Sequence, residues 1–269
     1  MKYKTQMSWG KQNRMNKIFA EDGRTVMLAI DHGYFMGPVT GMEDPAEAVK
    51  DLLPYVDALM ISPGILNSCI TPEFTKGVVL RSSGGSSIAQ PDITNEIITL
   101  QAEEVAKLNA AAMAVSFYLG TEYEKQTIGG LTKAINDCSK LDLPVLAVTA
   151  VGKALEDKRE LRFLKLASRI AAEFGSDIVK TYYCDEFEKL TAAVPKPIVV
   201  AGGPKLDSNR AVFELVYNAM QKGAAGVDLG RNVWKNPDPI IMIQIINAIV
   251  HKNITPDQAD EMFKDLKNA

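Results

Sequence analysis

SDIVKTYY, residues 176–183, decides how the chain is read. Ile178 and Val179 form a short apolar run after a long amphipathic segment, and Lys180 ends it. An ammonium at the end of a core strand is costly to desolvate unless it is paired or gives up its proton. A neutral, desolvated amine is the nucleophile that Schiff-base chemistry on a carbonyl requires, so Lys180 is the first candidate catalytic residue. The structural alternative is that the stem crosses apolar surface and the head reaches solvent or a neighbouring carboxylate.

Outward from this run, short β-rich stretches alternate with longer helical patterns. Strands are expected at 25–30, 58–61, 78–81, 113–118, 145–149, 177–181, 198–201 and 226–229, eight in all. Between the fifth and sixth, Leu161, Leu164, Ala167, Ile170, Ala171 and Phe174 recur at spacings of three and four, one face of a helix. Val212, Leu215, Val216 and Ala219 repeat the pattern before the last strand, and Ile240, Ile241, Ile245, Ala248 and Ile249 after it. Eight βα units without a Ser/Gly/Pro-rich linker point to the α/β class and a single (β/α)8 barrel. The expected organisation is a lead-in helix within 1–24, the barrel over 25–250 and a terminal helix within 251–269.

Bulk properties narrow the functions. A net charge of −3 over 269 residues argues against nonspecific nucleic-acid binding. The polar start has no continuous apolar core, and no apolar run approaches the length of a membrane span; 240–250 is too short and contains Gln244 and Asn247. Three widely separated cysteines (Cys69, Cys138, Cys184) suggest neither a disulfide framework nor a metal knuckle and fit a reducing cytoplasm. With two histidines, a multi-histidine metal site is not expected.

Barrel enzymes keep their chemistry where the C-terminal strand ends converge. Lys180 ends the expected sixth strand, and Asp31, His32 and Gly33 follow the first. Tyr118 ends the fourth, Thr149 ends the fifth and Lys153 lies in the loop beyond it. A carboxylate, an amine and a phenol suffice for acid–base work on an imine, although Asp31 is equally suited to capping a short helix. The glycine-rich RSSGGSSIAQ at 81–90 reads as the loop after the third strand. The seventh strand ends in AGGPK and the eighth in DLGRNVW. Small residues at Gly202, Gly203 and Gly230 let backbone amides approach a phosphate, and Arg231 adds a charge-assisted clamp. A Gly-Gly pair alone is also an ordinary tight turn.

LAIDHGYF, VKTYY, VVAGGPK and DLGRNVW, in this order and spacing, resemble the class I Schiff-base aldolases related to deoxyribose-phosphate and archaeal-type fructose-bisphosphate aldolases. The resemblance covers about residues 22–250. It implies a (β/α)8 barrel, a Schiff base on Lys180, an acid–base role for Asp31 and phosphate held by Gly202, Gly203, Gly230 and Arg231. His32, Tyr118 and Lys153 are the further substrate-binding candidates. The aldolases carry a catalytic tyrosine at the end of the fifth strand, in a Tyr-Pro-Arg-Gly setting, whereas this chain reads VLAVTAVGK there, with Thr149 at or beside that position.

In that departure, and in MLAIDHGYFMGP, YLGTEYE and AVTAVGK, the chain is similar to the family's thiolase branch of autoinducer-2 processing. That branch cleaves 3-hydroxy-5-phosphonooxypentane-2,4-dione with coenzyme A to dihydroxyacetone phosphate and acetyl-CoA. Coenzyme A is then a co-substrate, and no permanently bound cofactor or metal is implied. A retro-aldol needs a base for a substrate hydroxyl, whereas thiolate attack on a ketone needs donors for an oxyanion. Thr149 is the candidate donor, with plain strand packing as its alternative. The resemblance also implies a homo-oligomer, with a decamer among the forms, while cysteine usage, net charge and the apolar runs give the expectation of a cytoplasmic protein without nucleic-acid or membrane partners. An aldolase or transaldolase-type synthase on the same scaffold is the rival, with Tyr118 or a water replacing the missing tyrosine. A phosphate-binding barrel without an imine, as isomerase or binding protein, is a third reading.

Overall fold

The computed structural model describes residues 7–151 and 160–268. Eight parallel strands close into a barrel: Thr25–Ala29 (β1), Ala58–Ile61 (β2), Gly77–Arg81 (β3), Ala112–Leu119 (β4), Val145–Val151 (β5), Ile178–Tyr182 (β6), Ile198–Ala201 (β7) and Gly226–Leu229 (β8). Each pairs with its sequence neighbours, and β8 closes on β1 through Thr25↔Gly226 to Leu28↔Leu229. Neighbouring strands throughout are joined by crossovers of the kind parallel pairing demands. The loop after β3 adds a small antiparallel ribbon, Ser83–Gly84 against Ile97–Ile98.

Strand alternation sorts the side chains into two cores. Met27, Met60, Val79, Leu146, Ile178 and Val199 face the barrel interior and pack with Met15, Ile18 and Phe19 of the N-terminal segment. Leu28, Leu59, Leu80, Phe117, Ala147, Val179 and Val200 face the helices. Each fully buried Leu, Ile or Met contributes about 1.5–3 kcal/mol, so both layers carry the fold. The helix Leu161–Glu173 buries Leu164, Ala167 and Ala171 as its spacing predicts, while Phe174, just past its end, is exposed.

The lead-in helix Trp9–Met15 is capped by Ser8, whose hydroxyl accepts from the Lys11 amide. Lys11 ties it to Asp177 below β6 at 3.1 Å. The terminal helix Pro256–Asn268 packs against Pro239–Lys252 and Asn209–Gln221. Among the described residues no helix is long and apolar enough to cross a membrane, and no group of three or more His, Cys, Asp or Glu could hold a metal. All three cysteines are free.

Three strands coincide residue for residue with the sequence reading, and the others differ at their ends. Lys180 does not end β6 but sits third of five, because Tyr182 still pairs with Ala201. Likewise β4 runs one residue past Tyr118 and β5 two past Thr149, the two being zipped together as far as Leu119↔Val151.

Candidate active site

A cavity of about 250 Å³ opens at the C-terminal ends of the strands and is lined by Asp31, His32, Tyr118, Thr149, Lys180, Gly202, Gly203, Gly230 and Arg231 among others. Of the residues expected at the site, Lys153 lies outside the described residues. The rest converge.

Lys180 is buried and faces inward, with its Nζ 2.7 Å from Asp228 Oδ2 and 3.3 Å from Met60 Sδ. Asp228 is wholly enclosed on β8, and burial raises its carboxyl above the usual range even against the pull of Lys180. Its Oδ1 has no hydrogen-bond partner among the described residues. A carboxyl that holds a proton more readily than usual therefore lies against the amine. It is suited to exchanging protons with Lys180 as an imine forms and breaks.

Asp31 follows β1 and does not cap the short helix Gly33–Met36, whose capping residue is His32, with no side-chain bond. Its Oδ2 instead accepts from Arg81 Nε at 2.8 Å, and Arg81 Nη1 donates to Ser116 Oγ at 2.6 Å. Burial works against the charge on Asp31, but the cations of Arg81 and Lys180 overcome it and hold the carboxyl at about 2. Asp31 is thus a fixed anion at neutral pH. His32 is driven down to about 4, chiefly by burial, and stays neutral, its ring edge-on to Trp234 at 5.6 Å.

The loops after β7 and β8 form a cradle. A Cβ on Gly202 would lie 2.7 Å from Leu229 Cδ2, and one on Gly230 would lie 2.5 Å from His32 Cε1 and 2.6 Å from the Ala29 carbonyl. The two loops are latched by Asn232, which donates to the carbonyls of Gly202 (3.0 Å) and Pro204 (3.2 Å) and accepts from the Leu206 amide. Gly203 takes φ +66°, the left-handed region. Arg231 Nε is buried with no hydrogen-bond partner among the described residues, as a donor reserved for an anion would be.

Thr149 departs from its expected role. Along β5, Leu146 and Val148 pack in the interior and Ala147 packs toward the helices, so alternation puts Thr149 on the helix side with its neighbour Phe117. Its hydroxyl donates to the Lys180 carbonyl at 3.1 Å. Thr149 borders the cavity but does not aim its proton into it. The interior positions of β5 beside Lys180 are Val148 and Ala150, neither able to move a proton.

Several groups were not foreseen. Asp228 and Arg81 stand in apolar strands, where a charge demands a counter-charge, and that signal was available. Glu96 was hidden in a loop without periodicity. It accepts from Tyr34, Tyr118 and Ser83. Thr94 on the same loop lines the cavity with a buried hydroxyl that has no hydrogen-bond partner among the described residues.

The fold is shared with known proteins. The model of the DeoC/LacD family aldolases matches residues 25–236. The chain belongs to the DeoC/LacD aldolase family. Among relatives in this family, the 3-hydroxy-5-phosphonooxypentane-2,4-dione thiolase of Salmonella typhimurium is 43% identical over 264 residues, covering 97% of this chain and 89% of that protein. An uncharacterized aldolase of Pasteurella multocida is 43% identical over 263 residues, with the same coverage. The fold is similar to the crystal structure of an archaeal fructose 1,6-bisphosphate aldolase, with a TM-score of 0.80 and 25% identity over 90% of this chain and 99% of that one. Like its relatives in the DeoC/LacD family, the chain is an enzyme.

Proposed function

We propose that this enzyme cleaves 3-hydroxy-5-phosphonooxypentane-2,4-dione with coenzyme A, giving dihydroxyacetone phosphate and acetyl-CoA in autoinducer-2 processing. The observation that carries the reading is an inward-facing, buried amine, Lys180, paired with Asp228 and set beside the glycine-bearing loops after β7 and β8 and Arg231. On β5, the strand next to it, the interior positions are apolar. The name borne by relatives at 43% identity supports the same substrate.

In this reading the phosphate rests between the loops of Gly202, Gly203 and Gly230, clamped by Arg231, which brings a substrate ketone to Lys180. Lys180 attacks it, Asp228 takes and returns the protons of carbinolamine formation and dehydration, and an iminium results. Asp31, held ionised by Arg81, stabilises that cation. The thiol of coenzyme A adds to the second ketone, and the bond between the acyl carbon and its neighbour breaks. The electron pair passes into the iminium to give an enamine. Thr94, with an uncommitted hydroxyl at the cavity wall, replaces Thr149 as the donor to the oxyanion.

The aldolase reading has the likeness to the archaeal fructose 1,6-bisphosphate aldolase behind it. One experiment separates the two. The purified enzyme is given the phosphorylated dione with and without coenzyme A, beside fructose 1,6-bisphosphate, and products are identified by mass. Acetyl-CoA that appears only with coenzyme A supports the thiolase; efficient cleavage of fructose 1,6-bisphosphate without it refutes it. Borohydride with dihydroxyacetone phosphate should leave a covalent adduct on Lys180, and folded Lys180→Met should show neither adduct nor turnover.

A further inference from the structure

The loop between β3 and β4 carries another buried carboxylate, Glu96, which the chemistry above leaves unused. Its Oε1 accepts from both Tyr34 Oη and Tyr118 Oη at 2.6 Å, and its Oε2 accepts from Ser83 Oγ at 2.6 Å. No lysine or arginine forms an ion pair with it among the described residues, although Arg81 lies over the Tyr34 ring, 5.1 Å from its centroid. Burying a carboxylate this deeply is costly unless it is well hydrogen-bonded, and three short hydroxyl bonds supply that. The loop itself is pinned by the ribbon, by Ser83 Oγ accepting from the Ser116 amide and by Gln126 donating to the Glu96 carbonyl.

The placement of the phenols gives this cluster its meaning. Tyr118 and Tyr34 both line the cavity. Each phenol has one proton, which points at Glu96, so each offers the cavity only its oxygen lone pairs. Tyr118 pairs with Ala150, while Lys180 pairs with Val148 two residues below on the same strand. Tyr118 therefore stands nearer the mouth than Lys180, on the β4 side. The phosphate cradle lies on the other side of Lys180, on β7 and β8. A substrate anchored by its phosphate and joined to Lys180 extends its acyl end toward Tyr118.

We propose that Tyr118, positioned by Glu96, is the catalytic proton carrier on the acyl side of this site, an inference that rests on the thiolase reading. As the thiol sulphur bonds to the acyl carbon, its S–H proton moves to Tyr118 Oη and the phenolic proton moves to Glu96 Oε1. The carbonyl pair goes to oxygen. When the oxyanion collapses, the carbon–carbon bond breaks and its pair enters the iminium, leaving thioester and enamine. Glu96 then returns its proton to Tyr118, which delivers one to the enamine carbon and restores the iminium for hydrolysis. The proton lost by the thiol is the proton gained by carbon, so the acyl-transfer half balances without a further acid or base, and Asp228 keeps its role in forming and hydrolysing the imine.

The last step run backwards supplies the test and needs no coenzyme A. Bound as an imine, dihydroxyacetone phosphate should exchange a carbon-bound proton with deuterated water. Tyr118→Phe is expected to slow this exchange by about 10²–10⁴-fold, the usual range for a lost acid–base group. Borohydride trapping on Lys180 should stay near wild type. Glu96→Gln keeps an oxygen to hold the phenol but cannot take up its proton, so it should show the same split between exchange and trapping. Exchange in folded Tyr118→Phe as fast as in wild type overturns the proposal, as does exchange and trapping lost together in both variants. Wild-type exchange without any acyl-CoA from the dione would instead refute the thiolase reading, leaving Tyr118 to be judged on exchange alone.

Discussion

Replacing Arg231 with methionine should separate stability from phosphate binding. In the free protein the buried Nε of Arg231 has no hydrogen-bond partner among the described residues. An unmet buried donor costs about 1–3 kcal/mol, and methionine removes it while keeping much of the aliphatic stem. Unfolding in urea should therefore show stability unchanged or raised by about 1 kcal/mol. Binding should behave in the opposite way. A charge-assisted contact is worth about 1.5–3 kcal/mol, which at about 1.4 kcal/mol per tenfold means affinity for dihydroxyacetone phosphate falls about 10- to 150-fold. Calorimetric titration with dihydroxyacetone phosphate and with its dephosphorylated analogue reads the difference, and the analogue should be little affected. Arg231→Lys should recover part of the loss, since a point charge replaces a planar fork. His32 supplies an independent readout: burial holds it at about 4, Asp31 pulls upward, and the cations of Lys180, Arg231 and Arg81 push down, so losing Arg231 should raise its titration midpoint by NMR. Equal weakening of both ligands, or a clear loss of stability with phosphate affinity intact, would refute the assignment.

Thr149→Val should cost about 1–2 kcal/mol of stability, for the bond to the Lys180 carbonyl, yet leave acyl transfer within a few-fold; a hundredfold slower acyl transfer would restore Thr149 as the oxyanion donor. Gly230→Ala forces a methyl to 2.6 Å from the Ala29 carbonyl and should destabilise by about 1–3 kcal/mol in urea, which a wild-type midpoint would contradict. His251 bridges Asp22 (2.8 Å) and Asp57 (2.9 Å), and its hydrogen bond to Asp57 outweighs burial in raising its pKa. That contribution is fully present below the unfolded histidine value of about 6.5 and is lost as pH rises through the folded value. Stability of the wild type should fall over that window relative to His251→Gln, and parallel curves would sink the clamp.

The fold was legible because eight apolar runs and their intervening helical spacings carry local signals. Ala58–Ile61, Ile198–Ala201 and Gly226–Leu229 came out residue for residue. Strand ends were less legible, since pairing sets them: Tyr182 belongs to β6 only because Ala201 lies opposite. Lys180 could be found from the cost of burying its charge, and the same argument applied to the aspartate in GVDLG would have found Asp228. Thr149 misled because one residue along a strand reverses the face, and parity depends on register that no single stretch reveals. Glu96 gave no local sign at all, for its meaning comes from two phenols 62 and 22 residues away in sequence.

The packing beneath Lys180 has a kinetic consequence. Met27, Met60, Val79 and Leu146, with Phe19 and Met15 below them, fill the barrel's lower half with hydrocarbon and sulphur. The amine therefore sits at the bottom of a blind shaft, and whatever reaches it arrives from the mouth. In the proposed reaction the phosphorylated fragment stays bonded to Lys180, while the acyl fragment, on the side of Tyr118 and nearer the mouth, is not tethered. Traffic in such a shaft is last in, first out. On that reading the thioester clears the shaft before the tethered fragment is hydrolysed and leaves, and excess thiol should hold that fragment on the enzyme rather than compete for its place.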